Sequence, residues 1–268
     1  MRIDVITLFP EIVSGPLDAS IMGRAQRAGQ VEIHLHQLRD YATDKHHTVD
    51  EKPYGGGPGM LLKCEPIFAA VEDVQSKAPK PGRVILLSPA GPRFDQAKAR
   101  ELATLDRVVF LCGHYEGVDE RVREHLVDEE LSLGDFILTN GALPALVVID
   151  SVVRLLPNVV GNEASTESES FSAERPWLEG PQYTRPEEFR GWRVPEILLS
   201  GHHGKIEKWC EEQSLHRTEQ LRPDLLKTSV IAADDRTTTP SVAVAGPRDG
   251  SASASVVAAD LRATVSPA

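Results

Sequence analysis

The sequence has few cysteines, few aromatic residues and no hydrophobic run long enough to cross a membrane. Its three cysteines, at positions 64, 112 and 210 of 268, lie far apart and form no Cys-x-x-Cys pair. This argues against a disulfide framework or a zinc ribbon and predicts a reducing, cytoplasmic location. The longest apolar stretch, residues 143–160, is interrupted by Asp150 and Arg154. It therefore predicts a buried helix rather than a membrane span.

Several motifs of nucleotide, metal and acyl-transfer sites are also missing. No Gly-x-Gly-x-x-Gly follows the first predicted strand, and the glycine-rich run at 53–60 lacks Gly-Lys-[Ser/Thr], so neither a dinucleotide site nor a P-loop is expected. The nine histidines show no His-Glu-x-x-His spacing, and no metal site is predicted. Cys112 ends an apolar run, which favours a core residue over a nucleophile.

Positive charge is in deficit as well, because 40 acidic residues outnumber 29 lysines and arginines for a net charge of −11. Such a balance argues against nonspecific binding to a phosphate backbone. A local basic face can still bind RNA while the rest of the molecule repels it. The charge therefore lowers the expectation of an RNA partner without deciding the matter.

Strand and helix patterns alternate over the first 160 residues. Short aliphatic or β-branched runs predict strands at 2–8, 31–38, 83–88 and 107–112, and helical stretches fall at 20–28, 65–75, 95–105 and 117–125. This alternation predicts an α/β fold with a mostly parallel sheet covered on both faces.

The composition changes after residue 160. Residues 161–176 are polar and acidic and predict a flexible linker, and residues 177–227 predict a small helical domain. Residues 228–268, rich in Ala, Ser, Thr, Val and Pro, predict a disordered tail.

Four segments are rich in glycine and polar residues, and three of them follow or lie between the predicted strands. The four segments are PYGGGPGM at 53–60, LSPAG at 87–91, CGHYEGVDER at 112–121 and SLGDFILTNG at 132–141. Ligands of α/β sheets bind in crevices outside the carboxyl ends of the strands, where glycine lets the backbone approach a ligand. A nucleoside site and a set of ordinary turns are both compatible with these loops.

Arg154 is an unusual charge because it lies in an apolar helical stretch, four residues after Asp150. One interpretation is a structural ion pair between these neighbours on one helix face. The other is a fixed cation that contacts a guanine oxygen or stabilises negative charge developing there.

The sequence resembles the bacterial tRNA (guanine-37-N1)-methyltransferase family. The resemblance rests on the four segments, on Arg154 and on three further motifs: SESF at 168–171, YTRP at 183–186 and VPEILLSGHHGKIEKWCEEQSLHRT at 194–218. The likeness runs in order from residue 1 to about residue 226. It implies a SPOUT fold, in which the parallel sheet contains a deep trefoil knot and a small helical C-terminal domain follows. It further implies S-adenosylmethionine as methyl donor, tRNA as substrate and an antiparallel homodimer, and it leaves a need for Mg²⁺ open.

The resemblance also implies residue roles. Glu169 would be the general base and Arg154 the cation that contacts the guanine oxygen, while Tyr115, Glu116 and Glu179 would contact the substrate. The donor would contact a larger set drawn from the loops: Leu87, Ser88, Pro89, Gly113, Leu133, Gly134, Asp135, Phe136, Ile137, Leu138, Gly141 and Pro144. Trp192 would stack on a base, whereas Trp209 is expected to pack in the core on its own helix. RNA would contact the basic residues of the C-terminal domain: Arg185, Arg190, Arg193, Lys205, Lys208, Arg217 and Arg222.

The chain departs from the family pattern at two positions. Glu169 stands where the family has aspartate, so the side chain of the base is one methylene longer. The alternative is that Glu169 is only a solvated charge and that Glu167 acts as the base in its place. Ala142 stands where the family commonly has glutamate, a loss beside the donor that Glu116, Asp119 or Asp135 would have to offset. Two other functions stay open: methylation of a ribose 2′-oxygen, and a noncatalytic RNA-binding or cofactor-sensing protein.

Overall fold

The computed structural model describes residues 1–161, 169–172 and 175–226. The predicted tail, most of the predicted linker and the alternative acid Glu167 therefore lie outside the described residues.

In chain order the described strands are β1 (Arg2–Thr7), β2 (Glu32–Gln37), β3 (Asp50–Glu51), β4 (Leu61–Leu62), β5 (Arg83–Leu87), β6 (Arg107–Cys112), β7 (Glu129–Leu131), β8 (Glu188–Phe189) and β9 (Trp192–Arg193). The helices are α1 (Glu11–Asp18), α2 (Ser20–Arg27), α3 (Cys64–Ser76), α4 (Gln96–Ala103), α5 (Glu120–Leu126), α6 (Ala142–Val153), α7 (Glu196–Leu199) and α8 (His203–Leu221). The four predicted strands and the helices at 20–28, 65–75 and 95–105 are confirmed with small shifts at their ends.

Five strands form one sheet in the order β2-β1-β6-β5-β7, and every neighbouring pair is parallel. The prediction of an α/β fold with a parallel sheet is therefore confirmed. All six residues of β6 are buried, which is typical of a central strand covered on both faces.

Successive residues of β6 contribute to two cores because side chains alternate across a strand. Val108 and Phe110 belong to the core that α1, α2, α4 and α6 cover, whereas Val109 and Leu111 face α3 and α5. The sheet is thus the middle layer of three, as strand–helix alternation predicts.

Helix α6 differs from the helix expected at 143–160. It ends at Val153. In the turn that follows, ahead of Pro157, Leu155 N–H donates to Val152 O and Leu156 N–H donates to Val153 O, which is the 3₁₀ pattern. Proline disfavours helical geometry in the residue before it, which explains the early end. Leu143 and Val147 are exposed, so α6 is buried on one side only. No helix in the described part of the chain combines the length and the apolar character that crossing a membrane demands.

A buried carboxylate joins three adjacent strands of the sheet, β2, β1 and β6. The side chain of Asp4 on β1 is fully buried and accepts hydrogen bonds from Arg2, from Arg107 on β6 at 3.0 Å and from His36 on β2 at 2.9 Å. Burial alone would raise the pKa of Asp4, but the hydrogen bonds from His36, Arg2 and Arg107 outweigh it and hold the pKa well below its usual range. The ionised form is therefore built into the fold.

Asp4→Asn is expected to lower the free energy of unfolding by about 3–5 kcal/mol at neutral pH, because it leaves Arg107 buried without its counter-charge. The folded-state pKa of Asp4 is depressed, so its contribution is present above the unfolded-state value of about 3.9 and is lost as the pH falls below it. Urea unfolding measured at a series of pH values should show this acid-side loss in the wild type and a smaller one in the variant.

Asp106→Asn is the matched control, since Asp106 pairs with Lys80 at 2.8 Å on the open surface and such pairs contribute little. Equal acid-side losses in the wild type and Asp4→Asn would contradict the role given to the buried carboxylate.

Candidate active site

A cleft opens at the carboxyl edge of the sheet, where β5, β6 and β7 end side by side. The loops that follow these strands, at 88–91, 113–117 and 132–141, line a space of about 740 Å³. Parallel pairing brings the three strand ends to the same edge, so the cleft is a direct consequence of the topology. Its volume falls within the range of small-molecule and cofactor sites.

Backbone hydrogen bonds join the three loops to one another. Ser88 N–H donates to Leu131 O at 3.0 Å, Phe94 N–H donates to Ser132 O at 2.7 Å, and Gly141 N–H donates to Gly113 O at 2.8 Å. Residues 132–141 are therefore held between the loop after β5 and the loop after β6.

Two glycines permit this close approach. A Cβ on Gly141 would lie 2.8 Å from both Cys112 Cα and Gly113 N, and a Cβ on Gly91 would lie 2.6 Å from the backbone of Glu130 and Leu131. Because backbone atoms are the obstacles, neither position can accept a side chain without moving a loop.

The fourth glycine-rich segment reaches the same region. Glu116 N–H donates to Met60 O at 3.1 Å, and Gly59, with φ of +86°, packs directly against the Glu116 side chain. Leu62 N–H donates to Gly117 O at 3.0 Å. The run at 53–60 is thus attached to the wall of the cleft through Glu116.

All the residues expected to contact the donor line this cleft, with the exception of Asp135, whose carboxylate instead pairs with Arg93 at 2.6 Å. Tyr115 and Glu116, expected to contact the substrate, line the cleft as well. His114 is a lining residue that the sequence prediction did not single out, although it lies within the motif GHYEG. Its ring lies between Phe9, in a tilted contact with centroids 5.2 Å apart, and Tyr115, in an edge-to-face contact with centroids 4.5 Å apart.

The charged residues that line the cleft are mostly acidic. They are Glu116, Glu120, Glu130 and one cation, Arg123, which forms ion pairs with Glu120 and Glu130. A lining with a net negative charge suits a cationic ligand. Of the three acids considered as substitutes at the Ala142 departure, Glu116 lines the cleft, while Asp119 pairs with Arg121 and Asp135 with Arg93.

Ala142 itself is fully buried at the start of α6, and its N–H donates to the Asn140 side chain at 2.9 Å. Asn140 precedes the N-cap residue Gly141, and its bond to Ala142 N–H is not predicted from the sequence. A side-chain oxygen at this place satisfies one of the free N–H groups of a helix start.

The second feature of the site is an ion pair at the far end of α6. Arg154 Nη1 and Nη2 donate to the two carboxylate oxygens of Glu169 at 2.7 and 2.6 Å. The hydrogen bonds with Glu169 raise the pKa of Arg154, and Asp150 adds a weaker charge attraction. Arg154 is therefore paired, but its partner is Glu169 rather than the neighbour Asp150.

A tight turn presents Glu169. Ser172 N–H donates to Glu169 O at 3.2 Å, and Phe171 has a φ of +63°. Glu179 N–H donates to Ser170 Oγ at 2.9 Å, which holds the YTRP-bearing segment beside this turn. Glu169 and Glu179 both line a small second cavity of about 200 Å³ together with Trp177.

The match to known proteins decides the family. A sequence model described as tRNA (Guanine-1)-methyltransferase TrmD matches residues 1–228. The tRNA (guanine-N(1)-)-methyltransferase of Dehalococcoides mccartyi strain 195 is 54% identical over 236 residues, 88% of this chain and 94% of the relative. That of Bacillus subtilis strain 168 is 52% identical over 88% of this chain and 96% of the relative. The chain belongs to the tRNA (guanine-1)-methyltransferase family. The resemblance seen in the sequence is confirmed.

In this member of the tRNA (guanine-1)-methyltransferase family, the cleft and the ion pair are separate. Among the described residues that line the cleft, neither Arg154 nor Glu169 occurs. Pro144 reaches the cleft from the first turn of α6, and Arg154 follows the last, so about 15 Å of helix separates them at 1.5 Å per residue.

The basic residues of the described range 175–226 include a solvent-facing set. The seven arginines and lysines expected to meet RNA are all exposed, Trp192 is 70% exposed and Trp209 is half-buried. Trp192 is thus free to stack on a base, whereas Trp209 lies partly within the packing of α8.

Cys112 is 1% exposed, and burial raises the pKa of its thiol well above its usual range. A protonated thiol without solvent access is a core residue, as predicted, and not a nucleophile. No group of three or more potential metal-ligating side chains comes together in the described ranges.

Gly141→Ala is expected to lower the free energy of unfolding by about 1–3 kcal/mol, because the added methyl group meets backbone that cannot retreat. Gly204→Ala is the matched control: Gly204 lies in α8 with open space around its Cβ position, so stability should stay equal or rise slightly. Urea unfolding at neutral pH measures both. Equal stability of the two variants would show that the loop contact at Gly141 is not tight.

Proposed function

We propose that this chain transfers a methyl group from S-adenosylmethionine to N1 of guanine 37 in tRNA, with Glu169 as general base. Family membership and the names of the relatives support the tRNA substrate and the N1 position. The bidentate pair between Arg154 and Glu169 is the observation that carries the mechanism.

Neutral guanine has a hydrogen on N1, so this nitrogen cannot attack a methyl group until a base takes the proton. The base edge presents the O6 acceptor next to the N1–H donor. Arg154 and Glu169 side by side offer a donor next to an acceptor, which is the complementary pattern. When guanine enters, one N–H of Arg154 can pass to O6 while Glu169 accepts the N1 proton, and the guanidinium then stabilises the charge that develops on O6.

The cleft fits the methyl donor in size, shape and charge. S-adenosylmethionine, when bound, supplies an electrophilic methyl group on a positively charged sulfur. The acidic lining with Glu116 attracts that charge, and Pro89, Ile137 and Leu138 offer apolar surface for a purine ring. Tyr115, Glu116 and Glu179 are proposed to contact the target nucleotide. The exposed basic residues of the C-terminal region and Trp192 are proposed to contact the tRNA backbone and bases.

Two chains are required if Glu169 is the base. Within one chain Glu169 is at the opposite end of α6 from the cleft, so it cannot act on a nucleotide beside the donor of its own chain. Leu143, Val147, Asp150 and Arg154 follow the i, i+4, i+7, i+11 pattern of one helix face, and Leu143 and Val147 are exposed. Two such faces packed antiparallel bring Arg154 of each chain toward the Leu143 end of the other. Phe136, Ile137 and Leu138, also exposed, extend this apolar surface.

The proposal includes a trefoil knot, supported by the loop at 132–141 that lies between the loops after β5 and β6. It also includes the division into a cofactor-binding domain at 1–160, a linker at 161–176 and a tRNA-binding domain at 177–227, in a cytoplasmic protein. Helix α8 and the hairpin of β8 and β9 support a separate C-terminal domain.

Glu169→Gln is expected to slow single-turnover methylation by about 10²–10⁴-fold, because an amide cannot accept the N1 proton. The reaction is followed with labelled donor and an unmodified tRNA carrying guanine 37, with and without Mg²⁺, and the product nucleoside is identified by mass spectrometry. Glu11→Gln, a change of the same kind at an exposed acid on α1, should react at the wild-type rate.

A near-normal rate for Glu169→Gln would remove Glu169 from the mechanism. Methylation on a ribose 2′-oxygen would support the other SPOUT activity, and donor or tRNA binding without any turnover by the wild type would support a noncatalytic protein.

Val147→Glu is expected to give a monomer that does not methylate, since it places a charge in the centre of the apolar face of α6. Light scattering coupled to size exclusion measures the assembly state. Ala97→Glu, at an exposed position of α4, is the control and should remain dimeric and active. An active Val147→Glu monomer would contradict the two-chain site.

A further inference from the structure

The turn that presents Glu169 is attached to a second helix besides α6. Arg100 on α4 donates a hydrogen bond from Nη2 to Phe171 O at 2.6 Å. Phe171 is only two residues beyond Glu169, whereas Arg100 is distant in sequence. This bond therefore fixes the backbone of the turn, while Arg154 binds its side chain.

The conformation of the turn needs such support. Residues 169–172 form a β-turn closed by Ser172 N–H and Glu169 O, and Phe171 occupies its third position at φ +63°. Turns with a positive φ there favour glycine or asparagine, and a bulky aromatic residue is unfavourable. Such a residue persists when its surroundings determine its geometry.

Three contacts determine the geometry of Phe171. Its carbonyl accepts from Arg100, its N–H donates to Trp177 O at 3.2 Å, and the guanidinium of Arg222 lies 6.0 Å from its ring centroid. The bond from Arg100 is the shortest of these three contacts, and it is the one in which a charged group donates to the backbone of Phe171. Charge-assisted hydrogen bonds are stronger than neutral ones.

The two helices that hold the turn also pack on each other. Ala99 and Leu102 of α4 and Ala145 and Val152 of α6 belong to the same core. Arg100 and Arg154 thus project from a rigid pair of helices onto one short turn. If Arg154 releases part of its contact to Glu169 when guanine enters, the bond from Arg100 keeps the backbone of the turn in the same position.

We propose that Arg100 is a positioning residue that holds the turn at 169–172 so that the Glu169 carboxylate meets guanine N1. This inference rests on the proposed role of Glu169 as base. Arg100 is not among the described residues of the donor cleft, so its effect should fall on the methyl-transfer step and not on donor affinity. Small misplacements of a reacting group have large effects on rate.

The test is a double-mutant cycle on the full-length protein, with Arg100→Met, Glu169→Gln and the combined variant. Single-turnover rates are measured at saturating tRNA and S-adenosylmethionine, donor affinity by calorimetry and folding by Tm. Arg100→Met should slow methylation by about 10- to 100-fold with donor affinity and Tm unchanged. In the Glu169→Gln background the same change should slow it by less than about twofold, because no base remains to be positioned.

Arg100→Lys keeps a cationic donor and should recover most of the rate, which also guards against loss of folding in the methionine variant. Arg24→Met, at an exposed arginine on α2, is the matched control and should behave as wild type. A normal rate for Arg100→Met, an equal slowing in both backgrounds, or a parallel loss of donor affinity would overturn this proposal while leaving Glu169 as base. A near-normal rate for Glu169→Gln alone would overturn the proposed base and, with it, the role of Arg100.

Discussion

The bidentate pair between Arg154 and Glu169 is the interaction on which the proposed chemistry depends, and it exists because α6 ends where it does. The helix stops at Val153 ahead of Pro157, and Arg154 follows at its C-terminal end, where the side chain is free to leave the helix face. A guanidinium fixed in two hydrogen bonds aligns the carboxylate plane of Glu169. Without that alignment the extra methylene of glutamate, compared with the aspartate of the family pattern, would leave the acid loosely placed.

The other end of α6 is set by a different constraint, the contact of Gly141 with the Cys112–Gly113 backbone. The Asn140 side chain accepts a hydrogen bond from Ala142 N–H in the first turn, and the loop bonds around Ser132 and Leu131 attach this end to the carboxyl edge of the sheet. One rigid helix therefore carries both halves of the proposed site. Its length, and not a flexible loop, sets the distance between the donor cleft and the ion pair. The buried Asp4 joins β1 and β2 of the same sheet to β6, one of the three strands that end at the cleft.

Local pattern in the sequence predicts the repetitive part of the fold and little of its contact detail. The run at 107–112 is apolar throughout and becomes the central strand. Helix α1 was missed because Gly15 and Pro16 interrupt its pattern, and β7 because three residues, two of them acidic, give no alternation. The loops of the cleft were predicted from their residue types. The pairing of Arg154 with Glu169 instead of Asp150 is not predictable from local pattern, because it depends on how a distant turn folds back onto α6. The bond from Arg100 to Phe171 is hidden for the same reason, since a backbone carbonyl leaves no mark in the sequence.

The separation of acid and cleft within one chain has a chemical consequence for the proposed reaction. A carboxylate in a dry pocket beside an electrophilic methyl group is itself a nucleophile, so an unpaired acid next to the donor would compete with guanine. Here both carboxylate oxygens are occupied by Arg154, and the pair is at the opposite end of α6 from its own cleft. In an antiparallel dimer the acid meets the donor of the other chain while still bound to its guanidinium. Only a ligand that offers an acceptor and a proton donor side by side, as guanine does, can exchange with both groups at once. Discrimination of guanine from adenine then follows from the pair itself, since adenine presents an amino donor and an unprotonated N1 at the same places.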